Sequence, residues 1–437
     1  MDKRQAHRTD RYFSFFEKSF SVFALVFYSS SVFFLTKFDY EVATTIEKLM
    51  YHAVTLLTVL LLSIHWRKIV PALKRLWPVL VVISFVVTSI VWSDAPGLST
   101  QQCLPLIRCT LLGLYLGIRF NFREYLSLLS IAFIISGLLS LIFALVLPQY
   151  GVMGRGFILS GEDIKHAGSW RGIYSHKNYL GRSMVLGALC LYFTPVRQKL
   201  YLFKYLCLSI LALTLLFSDS KTALVILITM FLLIPLFRAM RLEYSWMITI
   251  LCISVFCAGS GATIFFDNFD QILSSLGKDS TLSGRTELWH EILLSVRDRP
   301  LFGHGYGAFW TEGGGAEMVW QEFGWQAPHA HNGTLDLLLD LGIVGTVIFL
   351  LFYLRVFCQS LLLLRQTKSF STIFPIAFLV MLFMVNLTES STVVRPQFAW
   401  TVFVGVSLLV QKGLRSAETV ENIDQDLKCH QPEKIFV

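Results

Sequence analysis

An all-α polytopic membrane protein with about 12 transmembrane helices is the fold class this sequence predicts, and three observations predict it. Of 437 residues, 54% are hydrophobic and 15% charged, with mean hydropathy +0.61. A soluble domain carries roughly a quarter charged residues, so this much apolar surface needs lipid as its solvent. The apolar residues are also gathered into runs long enough, or nearly so, to cross about 30 Å of hydrocarbon as helices. Finally, Lys and Arg are dense in alternate connections between the runs, as membrane topology demands. The 37 Phe and 10 Trp suit lipid contact and interfacial anchoring. The net charge of +8 comes from single or paired basic residues without a continuous patch, so the bilayer is an expected partner and nucleic acid is not.

The runs fall at about 19–36, 50–65, 76–92, 104–118 and 124–148, which form the N-terminal transmembrane helices (1–148). A connection at 149–178 follows. Runs at 179–196, 201–217, 222–237 and 244–266 make a central group (179–266), and a second long connection covers 267–333. Runs at 334–357, 372–388 and 396–412 form the C-terminal group (334–412), and 413–437 reads as a polar, mobile tail. The first run follows a basic segment but no small-residue cleavage site closes it, so it reads as a span and not a signal peptide. The eight cysteines, Cys429 apart, lie in or beside apolar runs and show neither a disulfide framework nor a zinc-finger spacing.

Fourteen Lys and Arg sit in one set of short connections (Arg67, Lys68, Lys74 and Arg75 in the first, for example), against Lys37, Lys48, Lys221 and Arg395 in the other. The basic side is therefore expected in the cytoplasm with both termini, and the two long connections outside, in the periplasm. Long connections that are not low-complexity tend to carry function. Within the second, 284–300 has helical periodicity: Leu288, Ile292 and Val296 share a stripe, and Pro300 ends it. A short amphipathic helix on the membrane or over a cavity is expected there.

Six of the ten histidines (His166, His176, His290, His304, His329, His331) lie in these two connections, and His is the side chain suited to accept a proton near neutral pH. Cations gather on the same face against the topological bias: Lys177 and Arg182 at one span, Lys221 at another, Arg108 about one turn inside a third, Arg285 at the amphipathic helix and Arg395 before the last span. Several cations at one membrane boundary suggest an anionic ligand such as a lipid pyrophosphate. Each has a bland alternative. Lys177 and Lys221 also suit headgroup snorkelling, Arg182 also suits pairing with Glu162 or Asp163, and His331 also suits a loop hydrogen bond. His329 and His331 form an H-x-H pair, but no DxD or EF-hand pattern accompanies it, so no metal is expected.

The string HAHNGTLDLLLDLGIVG holds His331-Asn332, nine intervening residues, then Gly342-x-x-Gly345. It resembles the signature of the O-antigen ligase and polysaccharide polymerase superfamily (Wzy_C). GIYSHKNYLGR (172–182), SDSKTAL (218–224), STLSGRTELW (280–289) and RPLFGHGYGAFW (299–310) resemble its ExoQ-type exopolysaccharide branch, in family order. The resemblance implies a GT-C-type membrane glycosyltransferase of the bacterial inner membrane, working at the periplasmic face. It would take glycan from an undecaprenyl-pyrophosphate donor to a hydroxyl of an acceptor glycan, without metal or other cofactor, alongside other polysaccharide-assembly proteins. By resemblance His331 is the catalytic base. Arg285 and Lys221 hold pyrophosphate, although Lys stands where ligases commonly have Arg and lacks its bidentate fork. His176, Asn178, Lys177, Arg182, His329, Asn332, Arg108 and Arg395 are further candidates for binding pyrophosphate or glycan. A polymerase, a ligase acting on lipid A core or protein, a lipid-linked-glycan transporter and a membrane scaffold are the alternatives. Polar residues at one end of the spans favour an enzyme over a transporter, which would place charges in mid-span.

Overall fold

The computed structural model describes residues 3–29, 40–156, 164–250, 285–311, 313–323, 326–389 and 398–429. Thirteen principal helices organise these residues. The first five are α1 (Lys3–Ser29), α2 (Tyr40–Ile64), α3 (Trp66–Thr88), α4 (Pro96–Arg119) and α5 (Phe122–Val146). They are followed by α6 (Lys177–Phe193), α7 (Tyr201–Phe217), α8 (Lys221–Ala239), α9 (Arg285–Asp298) and α10 (Ala316–Phe323). The last three are α11 (Gly333–Gln366), α12 (Phe374–Asn386) and α13 (Phe398–Cys429). Among the described residues there is no strand beyond a single bridge, Val152 to Trp170.

Among the described residues, six segments are long and apolar enough to cross a membrane: Thr45–Ile64, Lys74–Trp92, Phe122–Val146, Gln198–Phe217, Lys221–Ala239 and Gly333–Gln366. An all-helical chain with that many such segments is a multi-pass membrane protein. The other apolar runs coincide with α1, α4, α6, α12 and α13, and the run 244–266 is described only to residue 250. Two boundaries differ from the sequence reading. α13 continues through the polar tail to Cys429, because 413–429 is rich in helix-forming residues and holds neither Pro nor an interior helix breaker after Gly413. The second long connection holds another helix, α10, too short for periodicity to reveal.

Small residues let the central helices approach closely, as lipid-embedded packing requires. Gly113 and Gly117 of α4 lie against α13, where an added Cβ would meet the Thr401 carbonyl oxygen at 2.7 Å and Leu408 at 3.0 Å. The Trp400 indole, fully buried, donates to Thr110 Oγ1 across the same interface (2.8 Å). Helix starts follow local capping chemistry. Asn121 and Glu124 form a reciprocal capping box at α5, and Asn332 accepts from the Thr334 and Leu335 amides at α11.

α11 is two helices joined at Gly342, whose φ of 65° breaks the run. The loop after α9 fills the break. Ile343 and Val344 donate to the carbonyls of Pro300 and Leu301, while His304 and Gly305 donate to those of Leu339 and Asp340. A Cβ on Gly342 would sit 2.3 Å from the Leu301 carbonyl carbon, so both the backbone angle and the space demand glycine. That loop is also tied to the α3–α4 junction, through Arg299 and His304 on Asp94 (2.7 and 2.8 Å).

Candidate active site

α9 packs its apolar stripe into the protein. Its stripe of Leu288 and Ile292 is buried with Phe309, Val319, Ala327, Ala330 and Leu339 in a small second core, separate from that of the main bundle. This core carries the HAHN loop. The Trp289 indole donates to the Ala330 carbonyl (2.9 Å), and the carboxylate of buried Asp336 accepts from the Ala330 amide (3.1 Å) and the Trp310 indole (2.8 Å). The loop is thereby clamped between α9, the 299–310 segment and the first turn of α11. His331 takes φ +50°, a conformation that non-glycine residues adopt rarely and that clusters at functional sites.

What faces His331 is a residue the sequence reading did not single out. Glu389 lies one turn beyond α12, its amide still bonded to the Val385 carbonyl (2.9 Å). Its Oε2 is 3.7 Å from His331 Nδ1 and 3.8 Å from His329 Nε2. Its Oε1 accepts from Asn178 Nδ2 (3.1 Å), and Asn178 Oδ1 in turn accepts from the Ser220 hydroxyl (3.1 Å). Burial works against the charge of Glu389. The His331 imidazole, the Arg182 guanidinium and His329 reverse that effect and hold the carboxyl at about 2. The SHKN, SDSK and HAHN motifs therefore meet on one carboxylate. The signal that could have found it is a lone acid just past an apolar run.

The histidine tautomers follow from the backbone. The His331 amide donates to His329 Nδ1 (3.0 Å), so neutral His329 carries its proton on Nε2, toward Glu389. The Nδ1 atom of His331 is buried without a hydrogen-bond partner and points to the same carboxylate. Ligand atoms of His329, His331 and Glu389 lie within 4.8 Å of one another, as for a metal. A metal on His329 Nε2, however, would require the proton on Nδ1 and the loss of the amide bond that shapes the loop. The donor set fits a proton relay better than a metal seat.

A cavity of about 310 Å³ opens beside this cluster. α12 lines it with Phe378, Met381, Leu382 and Val385, the helical face that continues to Glu389. Its cations are Arg108 and Arg182, with the hydroxyls of Tyr28, Tyr51, Tyr174 and Ser183 around them. Arg182 lies over the Tyr179 ring (3.9 Å) and acts on Glu389, whereas Arg108 lies over Tyr51 (5.5 Å) with His52 Nε2 at 3.4 Å.

The other expected residues are placed differently. Lys177 is buried, ion-paired with Asp219 (3.1 Å), and does not line the cavity, because the tight turn at Asp219 (φ 49°) brings that carboxylate to it. Lys221 opens α8 with an exposed side chain, also outside the lining. His176 and Asn332 are helix caps: His176 Nδ1 accepts from the Asn178 amide (3.2 Å). His304 is held by Asp94. Arg285 starts α9, with its side chain outside the described set, and Arg395, Glu162 and Asp163 lie outside the described residues.

A helical bundle with a cation-bearing cavity and a His–Glu pair at the end of one lining helix defines a multi-pass membrane protein with a polar centre built at helix ends. Residues 206–350 match the family model Wzy_C, described as O-Antigen ligase. A stretch of 104 residues is 36% identical to the "Exopolysaccharide production protein ExoQ" of Rhizobium meliloti (strain 1021), covering 23% of this chain and 24% of that protein. The chain thus matches about a quarter of that relative's length. The resemblance to O-antigen ligases and ExoQ-type proteins is shown; four of its motifs fall within the family match, and the 172–182 motif lies before it. The family match includes Lys221, Arg285, His331 and Gly342; Arg108, Arg182 and Glu389 lie beyond it.

Proposed function

We propose that this chain is a GT-C-type membrane glycosyltransferase that polymerises surface polysaccharide at the periplasmic face of the inner membrane, with His331 as its general base. The observation that carries the reading is the His331–Glu389 pair beside a cavity bearing Arg108 and Arg182. A sugar hydroxyl is a weak nucleophile and needs a base at the moment of attack. Neutral His331, with its Nδ1–H toward the Glu389 carboxylate, presents Nε2 to that hydroxyl. The hydroxyl oxygen bonds to C1 of the donor sugar as the C1–oxygen bond to pyrophosphate breaks on the opposite face, which inverts the centre. The proton passes to His331 Nε2, and Glu389 stabilises the resulting imidazolium. This is the logic of a nucleophile–His–carboxylate triad.

The leaving lipid pyrophosphate departs as an anion, so charge rather than a proton must meet it. Arg182 and Arg108 supply that charge from the cavity, and Arg285 and Lys221 are assigned to the same anion by resemblance. An undecaprenyl-pyrophosphate glycan is the donor and a second glycan the acceptor. The name of the ExoQ relative, an exopolysaccharide production protein, accords with a polymerase, and the family description favours a ligase as the second reading.

The test uses purified protein, a lipid-linked donor and a gel readout of glycan length. His331→Ala is expected to lower transfer by about two to four orders of magnitude while donor binding persists, and a chelator is expected to leave transfer unchanged. Full activity in His331→Ala, or strict metal dependence, overturns the assignment. Donor bearing one repeat and donor-linked acceptor distinguish polymerase from ligase: only the first yields a ladder from donor alone.

A further inference from the structure

A second concavity lies away from the His–Glu centre, between α1 and α5. It measures about 860 Å³. From Val22 to Val26 on α1 and from Leu128 to Leu139 on α5 its walls are apolar. One end is polar: Lys18 and Ser19 of α1 meet Arg123, Glu124 and Ser127 of α5. Both helices leave this end in the same direction, so charge and hydrocarbon are separated along the groove. From residue 123 to 139, at 1.5 Å per residue, the groove runs about 24 Å, more than one leaflet of a roughly 30 Å hydrocarbon core.

The carboxylates at the polar end are already engaged. Glu124 pairs with Lys18 (2.9 Å), and Glu17, fully buried beside it in sequence, takes Arg119 (2.6 Å) and His65 (2.6 Å). Arg123 therefore leaves Lys18, Arg123 and Glu124 with net charge +1. Lys18 and Arg123 are the cations that line the groove. A topological bias accounts for cations at one membrane face. It does not account for a groove whose apolar walls run into them.

We infer that this α1–α5 groove binds one anionic glycerophospholipid, its phosphate at Arg123 and Lys18 and an acyl chain along the walls formed by Val22, Phe23, Ile131 and Leu139. The anionic headgroup offsets the net positive charge of Lys18, Arg123 and Glu124, and the Ser19 hydroxyl offers a donor to a phosphate oxygen. A zwitterionic lipid brings a second cation into the same field and is bound less well. The site is independent of the His–Glu centre and of its proposed reaction.

Native mass spectrometry of the full chain in detergent tests this, with dioleoyl phosphatidylglycerol and dioleoyl phosphatidylethanolamine as probes. One phosphatidylglycerol is expected to be retained, with a rise in Tm that phosphatidylethanolamine does not match. Arg123→Gln is expected to lower phosphatidylglycerol retention about fivefold, the worth of one surface cation. Ile131→Trp, at a lipid-facing position that tolerates bulk (46% exposed), is expected to fill the groove and abolish retention. Equal retention of both lipids, unchanged retention in both variants, or a co-purifying polypeptide in place of lipid overturns the inference. Glycan transfer is not part of the readout, so its failure and the failure of this site are separable.

Discussion

Glu389 is the residue on which the candidate site turns. Its carboxyl, held at about 2, stays ionised across the physiological range beside two imidazoles. Because the folded value is depressed, its stabilisation is complete above the ordinary carboxylate range and is lost as pH falls toward 2; it amounts to roughly 3 kcal/mol. Glu389→Gln is expected to remove that acid-sensitive contribution, read as a shallower fall of Tm from about pH 4.5 toward about pH 2, the window between the ordinary and the folded values. It is also expected to lower the transfer rate roughly 10²–10⁴-fold, as when a triad loses its carboxylate. Donor binding is expected to persist in Glu389→Gln; loss of donor binding in place of a loss of rate means that Glu389 does not act through His331. His331 and the cations were legible as residue types. Glu389 was not, because a single acid after an apolar run has no local signature until folding sets it 3.7 Å from an imidazole.

At the scale of elements, the G-x-x-G of the signature has a structural role that spacing alone conceals. Gly342 breaks α11 with φ 65°, and the 299–305 segment supplies the hydrogen bonds that the break leaves open. The HAHN loop is thereby carried on a short upper helix fixed to both the second core and the α3–α4 junction. Gly342→Ala is expected to cost at least about 1–3 kcal/mol for the backbone angle, and more for the clash with Leu301. Thermal unfolding monitored in detergent should show the loss, with transfer falling in step. An unchanged Tm would show that the loop relaxes around the methyl group. The amphipathic stripe of α9 was legible in the sequence; that it packs on the core carrying this loop was not.

At the scale of the whole molecule, orientation is the property on which the proposed chemistry depends. From the asymmetry of Lys and Arg, residues around 320 are expected outside and both termini inside. Reporter fusions at 320 and after Cys429 check this: a periplasm-active reporter should work at 320 and fail at 429. A cytoplasmic signal at 320 removes the donor's face from the His–Glu centre and ends the proposed mechanism. The cavity itself adds a further expectation. Arg182→Ala removes a charge from the cavity wall and a neighbour of Glu389 together, so it should weaken donor binding as well as slow transfer. A change in only one of the two would assign Arg182 to a single role.

By itself the sequence determined that this chain lives in a membrane as helices, which ends of the spans are polar, and which motifs resemble the O-antigen ligases. Those properties are local or additive: hydropathy, charge placement and short strings survive without any fold. Only the tertiary structure decided which polar residues share a site. It withdrew Lys177 to Asp219, made caps of His176 and Asn332, and put Arg108 and Arg182 in one cavity. The physical reason is distance. A charge and its partner interact over a few ångströms, while Asn178, Ser220, His331 and Glu389 are brought together from four separate segments by helix packing that no one segment encodes.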